Sequence, residues 1–250
     1  AKLYGRERIV ELKDSVMEND VVSARKYRPG DFHSVVGQEH ITSTLQNALR
    51  NNQLAQAFLF CGPRGVGKTT CARILAKTIN CTNLTEQTEA CNECDSCKAF
   101  NSNASFNIVE LDAASNNSVE DIRALIEQVK IPPQNGKYKV YIIDEVHMLS
   151  AGAFNALLKT LEEPPEHVIF ILATTEAHKV PPTIQSRCQR YDFERITVGE
   201  IEGPLRYIAK EMKMEAEDEA LSMLSLHAAG GMRDAHSILH QSAAPADATI

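Results

Sequence analysis

The sequence predicts an α/β protein: a parallel sheet covered on both faces by helices, followed by a small all-helical domain. Three observations carry this. From Gln56 onward, short runs that are apolar at every position alternate with segments of helical periodicity, the pattern of strands buried on both faces. A glycine-rich turn joins the first such strand to the first such helix. Beyond about Ile196 the strand-like runs stop and helical spacing alone remains, which marks a second, helical unit.

Taken in order, residues 1–22 read as an N-terminal extension. Ile9, Leu12 and Val16 share one face of a short amphipathic helix there, and no chemistry is assigned to it. Ala57–Cys61 is a buried strand by composition, and Lys68–Ile79 follows as a helix with Ile74, Leu75 and Ile79 turned inward. Asn107–Leu111 reads as the second strand. Ser118 opens the next helix, and Asp121 three residues later makes a capping box with Asp in place of Glu or Gln. Ile122, Leu125, Ile126 and Val129 form that helix's apolar stripe, and Pro132-Pro133 stops it. Tyr138–Ile143 is the third strand, Phe154, Leu157, Leu158 and Leu161 mark the helix after it, and Val168–Ala173 is the fourth strand. Leu205, Ile208, Ala209 and Met212, then Leu221, Leu224 and Leu226, carry the helical unit. The expected division is an extension over 1–22, a base domain over 23–196 with a polar module inserted at about 81–100, and a helical domain over 197–250.

Composition narrows the function classes. With 250 residues, 43% hydrophobic and 24% charged, the chain has ample material for a core and none of the bias of a disordered tail. The net charge of −7 excludes a strongly basic nucleic-acid glue, while a local basic face stays open. No apolar run is long enough to cross a bilayer, and the charged N-terminus shows no signal peptide. Seven cysteines without an export signal read as thiols or metal ligands, not as a disulfide frame.

The turn after the first strand is Gly62-Pro63-Arg64-Gly65-Val66-Gly67-Lys68-Thr69, which fits G-x-x-x-x-G-K-T and is followed by Thr70. Glycines let successive N–H groups point at phosphate oxygens, and the helix starting near Lys68 adds its positive end. Lys68 is expected to neutralise the β and γ phosphates and Thr69 to ligate Mg²⁺. The alternative is a chance glycine-rich turn, against which stand the strand before it and the helix after it. Val140-Tyr-Ile-Ile-Asp144-Glu145 ends a second buried strand in two carboxylates, 76 residues after Lys68. In an open α/β sheet that edge is where ligands sit. Asp144 is expected to hold the magnesium shell and Glu145 to orient or polarise the attacking water. The alternative is a solvated turn.

Cys91-x-x-Cys94-x-x-Cys97, with Cys81 ten residues earlier, places four thiols within 17 residues. Four sulfurs with no histidine nearby suit a closed, structural Zn²⁺ site that folds a loop poor in apolar residues. An iron–sulfur cluster is the rival, although Lys98–Asn101 lacks the cysteine such patterns continue with. Free thiols are the third reading. Cys61, Cys71 and Cys188 have no such grouping and read as structural.

Together these residues resemble the AAA+ clamp-loader ATPases, and among them the gamma/tau family of bacterial DNA polymerase III. The resemblance runs from about Ser23 to Gln241. It includes Arg25-Lys-Tyr-Arg28-Pro29, Val35-Val36-Gly37-Gln-Glu39-His40, the phosphate loop, the four cysteines, and Glu110-Leu-Asp112-Ala-Ala-Ser115. It continues with Asp144-Glu-Val-His-Met-Leu149, Asn155-Ala-Leu-Leu-Lys159-Thr-Leu-Glu-Glu-Pro-Pro165, Leu172-Ala-Thr-Thr175, Ser186-Arg187-Cys188 and Gly230-Gly-Met-Arg233-Asp234. The resemblance implies a P-loop AAA+ base with a zinc-binding insertion and a helical lid. It makes Thr175, of the Thr174-Thr175 pair, a sensor of the γ-phosphate. Arg187 becomes an arginine finger for a neighbouring subunit's ATP, and Arg233 a lid residue reaching its own subunit's nucleotide. The segments around Arg28 and Val36 would line the adenine pocket. Without the resemblance, Arg187 reads as a surface cation and Arg233 as a helix-capping residue.

The resemblance implies ATP, Mg²⁺ and Zn²⁺ as cofactors. As partners it implies other clamp-loader subunits in a hetero-pentamer with delta and delta-prime type chains, a sliding clamp, and primer–template DNA read by shape. It implies a cytoplasmic place with no membrane contact. The function implied is that of an ATP-driven motor that opens the clamp and loads it on DNA, an ATPase within the polymerase holoenzyme and not its polymerising subunit. Another AAA+ remodeller, such as a branch-migration motor or protein unfoldase, is the alternative; the cysteine insertion favours the first, and no aromatic pore loop favours the second. A nucleotide-locked scaffold is a third reading, opposed by Lys68, Thr69, Asp144 and Glu145. Three features depart from the family pattern. Gly203-Pro204 is expected to interrupt the first lid helix, and His236 stands at a usually apolar position. The sequence given also stops at Ile250, before the family's oligomeric collar, so the lid is expected to be cut short and pentamer formation weak or absent.

Overall fold

The computed structural model describes residues 27–134, 136–212, 214 and 216–242. The helix expected within 1–22, and Arg25 and Lys26, lie outside these residues. The chain divides into two compact units, Gly30–Glu194 and a second formed by the described parts of Ala1–Pro29 and Arg195–Ile250.

The first unit is built on a parallel sheet of five strands among the described residues: β1 Ala57–Cys61, β2 Ile108–Asp112, β3 Lys139–Asp144, β4 Val168–Thr174 and β5 Gln189–Asp192. Their spatial order is β2-β3-β4-β1-β5. Side chains alternate between faces. Phe58, Phe60, Ile142 and Ile171 pack under α1 (Glu39–Arg50) and α2 (Lys68–Ile79), meeting Ile41, Leu45, Cys71 and Leu75. Leu59, Tyr141, Phe170 and Leu172 face the other way, towards Ile122 and Leu125 of α4 (Val119–Val129) and Phe154 and Leu157 of α5 (Ala151–Glu162). Each such side chain removed from water contributes about 1.5–3 kcal/mol. Every residue of β1 and β4 is buried, which explains why these strands read as unbroken apolar runs. The helix over Lys68–Ile79 has the bounds expected. The Ser118 box is complete: Ser118 Oγ accepts from Asp121 N–H, and the Asp121 carboxylate accepts from Ser118 N–H.

Several elements add to the expected set, among them α1 and the helices Pro182–Gln185 and Met232–Ser242. Helix α3, Asp95–Asn101, lies inside the cysteine insertion. Strand β5 pairs parallel with β1 at the sheet edge. Its sequence, Gln-Arg-Tyr-Asp, buries Tyr191 alone, so an edge strand with one covered residue leaves no apolar run to read.

The second unit holds three helices among its described residues: α7 Val198–Glu211, α8 Asp218–His227 and α9 Met232–Ser242 (α6, Pro182–Gln185, is a single turn of the first unit). Their shared core is Ile201, Leu205, Ile208, Leu221, Ala235 and Leu239. The expected break at Gly203-Pro204 does not occur: α7 runs through Pro204. A Thr197–Glu200 capping box starts it, and buried Ile201, Leu205 and Ile208 anchor both sides of the proline. The carbonyl that loses its donor belongs to Glu200, which faces solvent, so packing and capping offset a cost of about 3 kcal/mol. His236 is buried with the edge of its ring set against the Tyr27 ring at 6.3 Å. Burial, aided by His240, pushes its pKa down to about 4.

Candidate nucleotide site and metal centre

The C-terminal edge of the sheet collects the chemistry. Parallel pairing sets Cys61 level with Thr174 and Asp112 level with Asp144, so the loops after β1, β3 and β4 leave from one rim. The loop after β1 is the glycine-rich turn. A Cβ at Gly62 would lie 2.5 Å from Phe193 O, and the backbone there has φ of +147°, so glycine alone fits. Gly67, at φ +103°, turns the chain into α2. Cys71 N–H donates to Gly67 O at 2.8 Å, and the N–H groups before it form the positive end of the helix. Gly65 and Pro63 lie within the loop, Arg64 is exposed, and Thr70 follows in the first turn of α2. Val66 is buried in the core, so its side chain is an anchor and its backbone alone serves the loop.

Lys68 is buried, and its Nζ donates to Gly62 O at 2.8 Å and Pro63 O at 2.5 Å. The ammonium thus curls over the loop it belongs to. Thr69 Oγ1 donates to Asp144 Oδ2 at 2.7 Å, and Glu145 N–H donates to Asp144 Oδ1 at 3.0 Å. Glu145 has a left-handed backbone, φ +47° and ψ +43°, unusual for a residue with a side chain and common at functional turns. Its Oε2 accepts from the Thr175 hydroxyl at 3.0 Å. The residues assigned to magnesium, water and γ-phosphate sensing therefore join in two bonded pairs, while Lys68 stays bonded within its own loop.

The remaining candidates lie elsewhere. Val36 is half-buried, and Val35 beside it lies 3.8 Å from where a Gly67 Cβ would stand. Arg187 donates to Thr183 O at 2.6 Å and to Glu162 Oε1 at 2.8 Å. Arg28 and Arg233 belong to the second unit, Arg233 exposed in the first turn of α9.

The four cysteines of the insertion converge. All four Sγ atoms lie within 4.8 Å of one another. A tetrahedral Zn²⁺ with bonds of about 2.3 Å needs sulfurs about 3.8 Å apart, so the donor set fits such an ion by number, chemistry and spacing. Cys81 and Cys91 sulfurs are 3.5 Å apart, and backbone N–H groups of Cys91, Glu93 and Cys94 already point at Cys81 and Cys91 sulfurs. Burial pushes the Cys94 thiol up, but hydrogen bonds from Thr82 and Cys97 outweigh it and bring the pKa down to about 6. Outside the cluster, burial pushes the Cys71 and Cys188 thiols up to about 12 and also raises that of Cys61, which keeps them neutral.

The insertion is fastened to the base. The Glu89 carboxylate accepts from Phe32 N–H at 3.1 Å, His33 N–H at 3.3 Å and Gln46 Nε2 at 3.0 Å. Lys77 Nζ ties Gly30 O to Asn92 Oδ1 at 2.9 and 2.8 Å.

Sequence reasoning gave no role to Glu89, Glu162, His147 or Glu176. His147 Nδ1 lies 3.0 Å from Thr174 Oγ1, and its Nε2 lies 3.3 Å from Glu176 Oε2. A hydrogen bond from Lys179 holds the Glu176 carboxyl below the usual range. The available signal was register: β3 and β4 are neighbours, so residues just past their ends must meet.

Comparison with known proteins agrees with this geometry. A family model described as DNA polymerase III, delta subunit, matches residues 37–197, and one described as DNA polymerase III clamp loader subunit, ATPase lid domain, matches residues 200–248. The chain is 56% identical over 217 residues to DNA polymerase III subunit tau of Bacillus subtilis, covering 87% of this chain and 38% of that protein. It is 47% identical over 230 residues to subunit tau of Escherichia coli, covering 92% and 36%. The chain thus spans little more than a third of these relatives. Among solved structures, the RuvB Holliday junction branch migration motor of Thermotoga maritima superposes with a TM-score of 0.62 at 23% identity, over 85% of this chain and 64% of that one. That likeness speaks for the P-loop AAA+ fold alone. With the matched models, the relatives and the bonded residues of the sheet rim taken together, the chain belongs to the gamma/tau family of DNA polymerase III clamp-loader ATPases.

Proposed function

We infer that this chain is the ATP-driven motor portion of a sliding-clamp loader subunit, binding and hydrolysing ATP to open a clamp and load it onto primer–template DNA. The observation that carries the reading is the pairing of Thr69 with Asp144 and of Thr175 with Glu145 at one sheet rim, in a chain of this family.

The mechanism follows from those residues. Lys68 exchanges the carbonyls of Gly62 and Pro63 for β and γ phosphate oxygens, and the loop backbone from Gly62 to Thr70 cradles the phosphates. Val36, in the unit that carries the phosphate loop, is assigned to the adenine side. Thr69 and Asp144 are the side chains that would hold Mg²⁺, which when bound neutralises phosphate charge. Glu145 orients the attacking water and takes its proton. Thr175, bonded to Glu145, senses the γ-phosphate. Arg187 is offered to a neighbour's nucleotide, and Arg233 carries the lid's response. Cys81, Cys91, Cys94 and Cys97 are the residues that would hold a structural Zn²⁺, which when bound would cross-link the insertion. The partners are the other subunits of a hetero-pentamer of delta and delta-prime type, the clamp, and DNA recognised by junction shape, in the cytoplasm. Among the described residues no helix is long and apolar enough to cross a membrane.

The test separates binding from turnover. Lys68→Ala removes the cation that pairs with phosphate, so nucleotide affinity should collapse. Glu145→Gln keeps shape and hydrogen bonding without the base, so affinity should survive while hydrolysis stops. Equal loss of binding in both variants overturns the reading.

A further inference from the structure

His147 has no part in the mechanism above, yet it touches both loops that make the site. It sits on the 3-10 turn Val146–Met148 after β3, with 7% of its side chain exposed. Its Nδ1 edge lies 3.0 Å from Thr174 Oγ1 and 3.4 Å from Glu145 Oε2, and its Nε2 edge lies 3.3 Å from Glu176 Oε2.

Thr174 Oγ1 also accepts from Glu176 N–H at 3.0 Å, so the ring, Thr174 and Glu176 form one closed set of contacts. The imidazole is therefore held at both edges. Glu145 is different. The torsion that turns a glutamate's carboxylate is soft and broad. Nothing in that side chain decides which way its oxygens face. Two neighbours do: the Thr175 hydroxyl grips Oε2 from one side, and the fixed Nδ1 edge of His147 stands against the same oxygen.

We propose that His147 is the positioning residue of Glu145, braced by Glu176 and Thr174 so that it confines the carboxylate to the orientation in which Thr175 holds it. This rests on Glu145 being the water-orienting base. A base must be set within about 3 Å of the proton it takes, and misplacement by about 1 Å can cost on the order of 10²-fold in rate. The brace therefore acts on turnover and not on nucleotide affinity.

The experiment uses the full-length chain in its reconstituted assembly, with ATP hydrolysis and nucleotide binding measured separately. His147→Ala should lower kcat by about 10–100-fold while KM and the nucleotide Kd stay within about twofold. His147→Leu refills the volume without ring nitrogens; it should recover thermal stability but not kcat. His147→Asn, whose amide reaches the Nδ1 side, should recover part of kcat. The double variant with Glu145→Gln should be no slower than Glu145→Gln alone, because a brace has nothing left to position. The proposal is overturned if His147→Ala keeps kcat, if His147→Leu restores it, or if the losses of the double variant add in full. Should Glu145→Gln itself hydrolyse ATP at the unsubstituted rate, the base assignment falls and the brace with it. A dead Glu145→Gln beside an active His147→Ala removes the brace alone.

Discussion

Thr69 Oγ1 donates to Asp144 Oδ2 at 2.7 Å, across 75 residues of chain. A hydroxyl and a carboxylate already in contact at a sheet rim are an oxygen pair suited to a hard, small cation such as Mg²⁺. Asp144→Asn keeps the hydrogen-bonding shape and removes the charge. Hydrolysis should fall by about 10²-fold or more, since a bound metal supplies several kcal/mol of transition-state stabilisation. Nucleotide binding measured without Mg²⁺ should stay the same. A Mg²⁺ titration that does not shift between the two proteins refutes the assignment.

Arg187 is bonded to Glu162 and Thr183 of its own chain. The ion pair is exposed on both sides, and such pairs are worth about 0–1 kcal/mol, so it yields readily to a phosphate. In a reconstituted loader, Arg187→Ala should leave ATP binding intact and lower stimulated turnover, by about 10³–10⁵ if the finger has its usual weight. A Lys68-dead chain that carries Arg187 should restore hydrolysis to an Arg187→Ala neighbour. Loss of nucleotide binding in the lone Arg187→Ala chain would count against action in trans.

The cysteine cluster should hold one zinc per chain, measured by elemental analysis of protein purified under reducing conditions. Visible absorbance from iron, or no metal at all, sinks the assignment. Chelation should open the insertion to protease between Thr82 and Asp95. It should also speed amide exchange at Phe32 and His33, because their acceptor Glu89 belongs to the same insertion.

His236 gives the lid a pH dependence. Its folded pKa of about 4 lies below the ordinary value near 6.5. Above pH 6.5 the ring is neutral in both states and nothing is lost. As pH falls from 6.5 towards 4, the unfolded chain takes a proton that the folded chain refuses, so stability falls. The full shift corresponds to on the order of 3 kcal/mol. Amide exchange in α9 should accelerate over that window, and His236→Leu should abolish the acceleration.

Much of this was legible in the sequence because one physical rule decided each part. Strands buried on both faces spell themselves as apolar runs, so β1 and β4 were plain, and the Ser118 box announced α4. The glycine-rich loop and the carboxylates ending β3 were plain for a similar reason, since residue type and spacing suffice. The parts not legible depend on tertiary context. β5 is polar because its edge position covers Tyr191 alone. The proline in α7 looked like a helix breaker, and only the packing of Ile201, Leu205 and Ile208 on both sides of it shows why it is tolerated. The bond of Arg187 to Glu162, the last residue of α5, joins segments that sequence spacing does not bring together.

The position of β4 has one more consequence. It is flanked by β1, which leads to the phosphate loop, and by β3, which leads to Glu145. The turn that begins at Thr174 is therefore shared ground: Gly62 N–H donates to Thr174 O at 3.2 Å, and the Thr175 hydroxyl donates to Glu145, so the phosphate loop and the carboxylate are fastened to adjacent residues.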